Sequence, residues 1–292
     1  MSSQKKTLGE KLFHYFIYIL MAVFGFIMML PLLTVASVSL SSPLAADTGK
    51  VFIFPVDFTF ASWGYIFSLI RIWKSLLLTT FTTLSGTALS LLLNALMAYP
   101  LSKKEFTPGR FILMGIAITM IFKAPIIPYF LTLRSIGLFD NFFVLIAPHL
   151  FVSYFLIIMV TFLRQIPKEL EESAMIEGCG YLQTLFKIIL PSSKAMLATV
   201  GLFYAVMDWN QFMHPLLFIQ NQNLYPLQIV IRSFIAGDEM IRDYFSVDKK
   251  ALYNDTTVKA AVVIFSVLPV MMVYPYLQKY FVKGAMVGSI KG

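Results

Sequence analysis

Two ionisable residues, Lys123 and Asp208, interrupt apolar runs that are otherwise long enough to cross a bilayer. A charge at membrane depth costs at least ~2.5 kcal/mol by insertion scales unless it faces protein or water. The two side chains could hold a polar cargo in a pathway, or they could form a structural ion pair with each other. Lys123 could also extend its ammonium to the interface. The adjoining Trp209 and Asn210 offer Asp208 local partners, which favours a structural use for that carboxylate.

The chain lacks the motifs that carry common enzymatic chemistry. It contains no Gly-x-x-x-x-Gly-Lys-Ser/Thr phosphate loop, so we expect no ATP hydrolysis by that route, and it contains no Gly-x-Ser-x-Gly or His-Glu-x-x-His pattern. His14, His149 and His214 are far apart, which predicts single, satisfied histidines and no metal site. The only cysteine, Cys179, excludes an internal disulfide. We therefore expect no catalytic residue, no metal and no cofactor in this chain.

The composition places the chain in a membrane. Hydrophobic residues make up 58% of 292 positions and charged residues 13%, with a mean hydropathy of +0.78, which the surface of a soluble domain would not tolerate. The net charge is +8, and the Lys and Arg residues that produce it lie between apolar runs and do not form one basic face. This distribution therefore indicates orientation in the bilayer and not nucleic-acid binding.

Apolar runs predict a single transmembrane domain over residues 1–292 with six helical spans, since about 20 apolar residues cross the hydrocarbon. The third span is irregular, because Lys123 lies in its middle and Pro125 and Pro128 follow. A hydrophilic segment over residues 218–257 separates the last two spans. The predicted spans are about 13–40, 75–100, 111–133, 142–163, 195–217 and 260–278.

Charge counting gives these spans an orientation. Six spans put both termini on one side of the membrane, together with the turn at 101–110 and the loop at 164–191. That side holds thirteen Lys and Arg residues and the other side holds nine, several of them in the long 218–257 segment. Short loops rich in Lys and Arg face the cytoplasm. We therefore expect cytoplasmic termini, a cytoplasmic loop at 164–191 and an external loop at 218–257.

The segment from Pro167 to Pro191 is the most patterned polar stretch of the chain. Proline is tolerated in a first helical turn, and three glutamates follow it where the helix dipole favours negative charge. Gly178 can take the left-handed conformation that ends a helix. An apolar stripe at helical spacing then runs to Pro191 and needs a partner surface. The stripe consists of Leu182, Leu185, Phe186 and Ile189.

The spacing in this segment resembles a known motif. Glu172-Ser173-Ala174, three residues, Gly178, nine residues and Ile188-Ile189-Leu190-Pro191 are similar to the EAA loop of the membrane subunits of binding-protein-dependent ABC importers, which commonly has alanine where Ser173 stands. The resemblance implies the all-α type I permease architecture, with this loop as the coupling helix on an ATPase subunit. The implied coupling residues are Glu172, Ser173, Ala174, Gly178, Leu182, Leu185, Phe186, Leu190 and Pro191.

Shorter matches extend the resemblance to the carbohydrate branch of that family. They are Ala98 to Lys104, Ile127-Pro128-Tyr129, Gly137-Leu138, Trp209-Asn210 and the ending Gly284 to Gly292, which resembles oligosaccharide permeases related to the maltose type. The resemblance implies a bacterial cytoplasmic-membrane subunit that works by alternating access. Its implied partners are membrane lipid, a second homologous permease, two ATPase subunits that bind ATP and Mg, and an external solute-binding protein that contacts the 218–257 loop.

The expected cargo is an oligosaccharide, and the sequence raises the question of its charge. Lys123 stands where family members commonly have small residues, which suggests an acidic cargo. Tyr129 and Trp209 could stack on sugar rings, although packing between spans is the commoner use of aromatic residues. The pathway candidates are Lys123, Tyr129, Asp208, Trp209 and Asn210. The alternatives are a phosphorylated polyol or polyamine as cargo, or an ion-coupled secondary transporter.

Overall fold

The computed structural model describes residues 8–236 and 253–289, and every regular element within these ranges is helical. The predicted all-α membrane fold is confirmed. Two 3-10 turns, Phe142–Leu145 and Ala147–His149, precede α7, a third lies at Gln222–Leu224, and a π-turn occupies Leu185–Ile189. The α-helices are α1 (Leu8–Ser39), α2 (Pro43–Asp47), α3 (Ala61–Ser68), α4 (Ile70–Ser102), α5 (Gly109–Ile121), α6 (Ile126–Ser135), α7 (Ser153–Leu163), α8 (Glu169–Ile176), α9 (Tyr181–Thr184), α10 (Leu190–Ser192), α11 (Lys194–Trp209), α12 (Met213–Phe218), α13 (Leu227–Ala236) and α14 (Asp255–Ser289).

Several of these helices have the length and composition of membrane spans. Within the described ranges, α1, α4 and the part of α14 from Asp255 to Val273 are long and apolar enough to cross a bilayer alone. Two bent pairs raise the number to five if each pair is one span: Phe142–His149 with α7, bent by 46°, and Tyr181–Ser192 with α11, bent by 85°. The apolar helices α5 and α13 are shorter.

The irregular third segment, 111–133, is divided between α5 and α6. The break falls at Phe122 to Pro125, because proline disfavours a helical residue before it and lacks a backbone donor. Lys123 lies at this break with an exposed side chain. The 13 residues of α5 cover only about 20 Å, which is less than the roughly 30 Å of hydrocarbon.

The segment 218–257 differs from the hydrophilic loop that we expected, because it contains α13. Leu227, Val230, Ile231 and Phe234 recur at helical spacing and are buried. Pro226 directly precedes the helix, where its missing N–H costs nothing. Residues 237–252 of this segment, and residues 290–292 of the tail, lie outside the described ranges.

Within the described ranges, one compact unit comprises residues 71–232 and 268–289. Its largest core brings together α4, α7, α11 and the π-turn around Tyr204, which is fully buried. The Tyr204 hydroxyl accepts hydrogen bonds from Asn94 Nδ2 at 2.9 Å and from Val152 N at 3.1 Å. These bonds satisfy donors where the chain breaks before α7, so polar contacts fix the bend of that span.

Within the described ranges, the other compact unit comprises residues 8–70, 233–236 and 253–267. Ser62 Oγ donates to Thr257 Oγ1 at 2.8 Å, and Trp63 Nε1 donates to Ser39 Oγ at 3.2 Å. Asn254 Nδ2 donates to Pro43 O at 3.2 Å. Small polar groups thus fasten the ends of α1, α3 and α14 to one another in this unit, while most of α1 itself is exposed.

Candidate functional site

The element from residue 167 to 191 has the bent shape that its sequence predicts. The helix α8 carries Glu169, Glu171 and Glu172 in its first turn and ends at Ile176. Gly178 has a φ of +83°, which confirms the left-handed corner. The Cys179 amide donates to the Ala174 carbonyl at 2.9 Å across this corner. Ala174 is buried beneath the element, so its small side chain lets α8 lie close to its support.

The second limb contains an irregularity that the sequence pattern did not reveal. Gly180 precedes α9, and the π-turn Leu185–Ile189 then widens the helix immediately before Pro191. Its defining bond joins the Leu190 N–H to the Leu185 carbonyl. A proline ring collides with the carbonyl four residues earlier in a regular helix, and a wider turn relieves that collision. Pro191 therefore shapes the limb instead of simply ending it.

The predicted apolar stripe is divided between two surfaces. Leu185 and Ile189 are buried in the core formed with α4, α7 and α11. Leu182 and Phe186, by contrast, are 63% and 46% exposed. Ile176, at 87%, and Tyr181, at 68%, are also exposed beside the glycine corner and were missed by the sequence reasoning. Their position on either side of Gly178 and Gly180 was the signal that could have indicated them. Leu190 is half-buried, and Ser173 Oγ donates to Leu170 O at 3.1 Å.

Ion pairs join this element to the turn that follows α4. Lys103 pairs with Glu171 and also lies 4.4 Å above the Tyr99 ring centroid. Lys168 Nζ lies 3.0 Å from Glu105 Oε1, and Arg164 Nη2 donates to Leu101 O at 3.1 Å. The pKa of the Glu105 carboxyl is lowered by its backbone hydrogen bond and then by Lys168, and the pKa of Lys168 is raised by its bond to Glu105. A cleft of about 1210 Å³ lies between the turn and the element.

The pathway candidates do not form one cluster. Lys123 is exposed at the break between α5 and α6, and no ion pair joins it to Asp208 in the described structure. Asp208 is 1% exposed, and its Oδ1 lies 3.6 Å from His149 Nδ1. The expected local partners of Asp208 are not used: Asn210 Nδ2 donates to Val206 O at 2.8 Å, and neither carboxylate oxygen is hydrogen-bonded. Consecutive helical residues point about 100° apart, which separates these side chains. Trp209 is buried.

Two histidines that we expected to be isolated are in contact, so that expectation was wrong. His149 Nε2 lies 2.9 Å from His214 Nδ1, and Tyr129 Oη lies 2.8 Å from His214 Nε2. Chain breaks before α7 and before α12 bring the two rings together, and Pro148 and Pro215 beside them were the available signal. Together with Asp208 these side chains form a row of four. No group of three or more His, Cys, Asp or Glu able to hold a metal occurs within the described ranges.

An all-helical membrane chain with a bent, surface-exposed element between spans is the architecture of an importer permease, and comparison with known proteins identifies the family. No protein-family profile matches the chain. YtcP of Bacillus subtilis (strain 168), a polygalacturonan/rhamnogalacturonan transport system permease protein, is 38% identical over 284 residues, which cover 97% of this chain and 99% of YtcP. Protein LplC of the same organism is 38% identical over 92% of this chain and 91% of LplC.

A solved structure agrees with these sequence relatives. A chain of a bacterial ABC transporter involved in the import of the acidic polysaccharide alginate superposes with a TM-score of 0.86 at 30% identity, covering 96% of this chain and 100% of that one. The chain therefore belongs to the permease subunits of ABC importers for sugars and oligosaccharides, and it is an integral protein of the cytoplasmic membrane. The resemblance that the 167–191 segment carries is confirmed.

Proposed function

We propose that this chain is one of two permease subunits in an ATP-driven importer of an acidic oligosaccharide, working by alternating access. A second homologous permease, two ATPase subunits that bind ATP and Mg, and an external solute-binding protein complete the machine. The chain itself hydrolyses no ATP. The termini, the 101–110 turn and the 164–191 element face the cytoplasm in this proposal, in agreement with the excess of Lys and Arg there.

The observation that carries the coupling role is the exposed apolar corner of the 167–191 element. Ile176, Tyr181, Leu182 and Phe186 present apolar surface beside exposed Glu172. Apolar anchors with a charged rim are the anatomy of a protein interface. A groove on the ATPase subunit would bury these side chains.

The other face of the same element supports transmission of movement into the membrane. Leu185 and Ile189 pack with α4, α7 and α11, and Lys103 pairs with Glu171. A close-packed contact moves as a body and does not deform smoothly. When the ATPase groove shifts the corner, these three helices would follow it, and the pathway would open to the other side of the membrane.

The acidic cargo is supported by Lys123 and by the alginate importer among the structural relatives. The exposed Lys123 ammonium at the α5–α6 break has no carboxylate partner in the described structure. A fixed positive charge in a pathway of low dielectric favours a negative cargo far more than the same charge in water.

Transport by the reconstituted complex with Lys123→Met tests this role. We expect reduced uptake of an acidic oligosaccharide and nearly unchanged uptake of a neutral one of equal length, with Lys50→Met as a control at another exposed lysine. Because Asp208 contacts His149, we expect no rescue by adding Asp208→Asn. Equal losses for both cargoes with normal assembly would remove the acidic cargo and leave the carbohydrate permease.

A second candidate is an ion-coupled carrier, because the buried pair of Asp208 and His149 is also what a proton-driven transporter could use. ATP dependence separates the two. Uptake by the complex in the presence of an ionophore, with ATP as the only energy source, supports the importer. Uptake that needs an ion gradient and no ATP supports the carrier.

A further inference from the structure

The row formed by Tyr129, His214, His149 and Asp208 has a phenol at one end and a carboxyl group at the other. It draws single side chains from α6, α12, the 3-10 turn before α7, and α11. The three contacts are 2.8 Å, 2.9 Å and 3.6 Å long. His149 Nδ1 has no hydrogen-bond partner within the described ranges and faces the carboxylate of Asp208, whose two oxygens also have none. Unpaired buried polar groups are costly, so this end of the row needs a proton between its two members.

Donor and acceptor roles along such a row are not independent. When Asp208 is ionised and both rings are neutral, His149 Nδ1–H points at Asp208, and His149 Nε2 accepts from His214 Nδ1–H. His214 Nε2 then accepts from the Tyr129 hydroxyl. Both hydrogen bonds of the row are satisfied in this direction, His149 Nδ1–H faces the Asp208 carboxylate at 3.6 Å, and the row carries one negative charge.

One added proton reverses the row when it resides on His149, on His214, or on an Asp208 carboxyl that donates to His149 Nδ1. Tyr129 passes its hydroxyl proton to His214 Nε2 and takes up a proton from its surroundings, and His214 passes its Nδ1 proton to His149 Nε2. His149 is then doubly protonated beside the Asp208 carboxylate, and the row is neutral. If the extra proton lies instead on His214, or on Asp208 with its O–H donating to His149 Nδ1, His214 Nε2 again carries hydrogen and Tyr129 again accepts. In the protonated state the Tyr129 hydroxyl hydrogen is therefore released to bind another acceptor.

We propose that the row is one proton-binding unit, formed by Tyr129, His214, His149 and Asp208. Without the added proton, the Tyr129 hydroxyl donates to His214 and can only accept a hydrogen bond from the cargo. With the added proton, it accepts from His214 and can donate its hydrogen to the cargo. Tyr129 is the cargo contact, and the other three are positioning residues. A carboxylate accepts hydrogen bonds and cannot donate them, so an acidic cargo selects the protonated state. This cargo role rests on the proposed function, whereas the proton switch does not.

The neighbouring titratable and charged groups of the described structure are exposed or have other partners. The Tyr204 hydroxyl, on the same helix as Asp208, is used by Asn94 and Val152. No group in the described structure outside the four makes a hydrogen bond or ion pair with their titrating atoms. From the elements packed nearby, Arg232 lies over Phe212, Arg134 lies over Phe139, Asp140 Oδ1 accepts from the amides of Gln220 and Asn221, and Lys123 is exposed.

Gly86 on α4 leaves room for the Asp208 carboxylate. A Cβ at this position would lie 2.8 Å from Asp208 Oδ2, so the carboxylate occupies the space that a side chain would take. We therefore expect Gly86→Ala to shift the carboxylate from its place beside His149 without changing any titrating group. Gly115→Ala is the matched control, because a Cβ there meets nothing within 4 Å.

The first test uses ¹⁵N NMR of the complex labelled at histidine, in lipid, between roughly pH 5 and pH 8, where histidine changes charge. This chain has only three histidines, so difference spectra against His14→Gln, His149→Gln and His214→Gln assign each ring. We expect hydrogen on His214 Nδ1 at high pH and on Nε2 at low pH. Asp208→Asn and Gly86→Ala should abolish the change, and His14→Gln and Gly115→Ala should retain it. One His214 tautomer at all pH values, or a change that survives Asp208→Asn in folded complex, would overturn the unit.

The second test measures transport. In wild type, KM for an acidic oligosaccharide should fall at low pH while KM for a neutral one of equal length stays constant. Tyr129→Phe should remove that difference and raise KM for the acidic cargo about tenfold at low pH, the scale of one lost hydrogen bond, with kcat little changed. Tyr154→Phe, at an exposed tyrosine, is the control. Identical pH profiles for both cargoes would overturn the cargo role. If the wild type transported no oligosaccharide but the His214 tautomer still changed with pH in the NMR spectra, the proposed function would be rejected and the proton-binding unit would stand.

Discussion

Gly178 and Gly180 stand two positions apart and have opposite backbone requirements. Gly178 has a φ of +83°, which no L-residue adopts readily, whereas Gly180 has a φ of −73° and a ψ of 166°. Proline fixes φ near −65° and therefore fits only the second position. The amide of Gly180 makes no backbone hydrogen bond among those of the described structure.

We predict that Gly178→Pro leaves the complex assembled but uncouples ATP hydrolysis from transport, because it straightens or breaks the corner that presents Ile176 and Tyr181. Gly180→Pro should retain most transport and serves as the matched control. Both activities are measured on the same reconstituted complexes. Wild-type uptake by Gly178→Pro, or equal losses in both variants, would contradict the coupling role of the corner.

At the scale of single residues, local chemistry was predictable and tertiary neighbours were not. The corner at Gly178 follows from the conformational range of glycine and from the acidic first turn of α8, both of which the sequence states directly. The contact between His149 and His214 depends on where two broken helices meet, 65 residues apart in the chain. The partner of Asp208 was missed for the same reason, since adjacency in sequence is not adjacency on a helix.

Two ion pairs connect the 167–191 element to the turn after α4. They differ in burial, so we expect them to differ in how much they stabilise this contact. The side chains of Lys103 and Glu171 are 23% and 14% exposed, whereas those of Lys168 and Glu105 are 62% and 69% exposed. Exposed pairs contribute little to stability, since solvent and salt screen them. The lowered pKa of Glu105 gives a contribution that is present above its unfolded pKa and lost as pH falls through the lowered value.

We predict that Glu171→Lys lowers ATP-dependent transport severalfold and that Lys103→Glu in the same chain restores most of it, because the reversed pair can form again. Glu105→Lys, which breaks the exposed pair, should change transport by less than about twofold. Transport rate per complex is the measurement. Failure of the double variant with normal assembly would show that Glu171 acts through something other than Lys103.

At the scale of helices, the prolines predicted where helices are interrupted. They did not predict which structure the chain adopts at the interruption. The break after α5 was visible in Pro125 and Pro128, and it leaves two short helices. Pro191 was expected to end a stripe, yet the chain continues through a π-turn into α10 and α11. The helix α13 was missed because polar residues around it dominate the average of that segment, although its own apolar spacing is regular.

At the scale of the whole importer, the segment that contains α13 is the proposed contact for the external binding protein. We predict that deleting residues from Asp238 to Tyr244 abolishes the stimulation of ATPase activity by the binding protein while basal hydrolysis remains. These residues lie outside the described ranges, so the prediction rests on the length and polarity of the segment. If the binding protein still stimulated ATPase activity fully after the deletion, the prediction would be wrong and the segment would serve only as a connection between spans.

The end of α14 tests the orientation of the entire chain. We predict that a cysteine-directed crosslinker on Ser289→Cys, in a Cys179→Ser background, reaches an ATPase subunit from the cytoplasmic side. The native thiol is the only cysteine in this chain, so its removal leaves Ser289→Cys as the one thiol of this subunit. Labelling of Ser289→Cys by an impermeant external reagent would invert the topology.

The exposure of α1 affects which substitutions this helix can tolerate. None of its most apolar 18-residue window is buried within the part of the chain that the structure describes, so we expect the neighbours of that window to be lipid or another subunit. Lipid tails are as apolar as leucine, and exchanging one for the other changes little free energy. Substitutions among Leu, Ile, Phe and Met should therefore be nearly silent at the positions of this window that face lipid. The same freedom ends at Ser37 and Ser39, whose buried hydroxyls donate to backbone carbonyls, so tolerance to mutation should fall abruptly within the last turns of the helix.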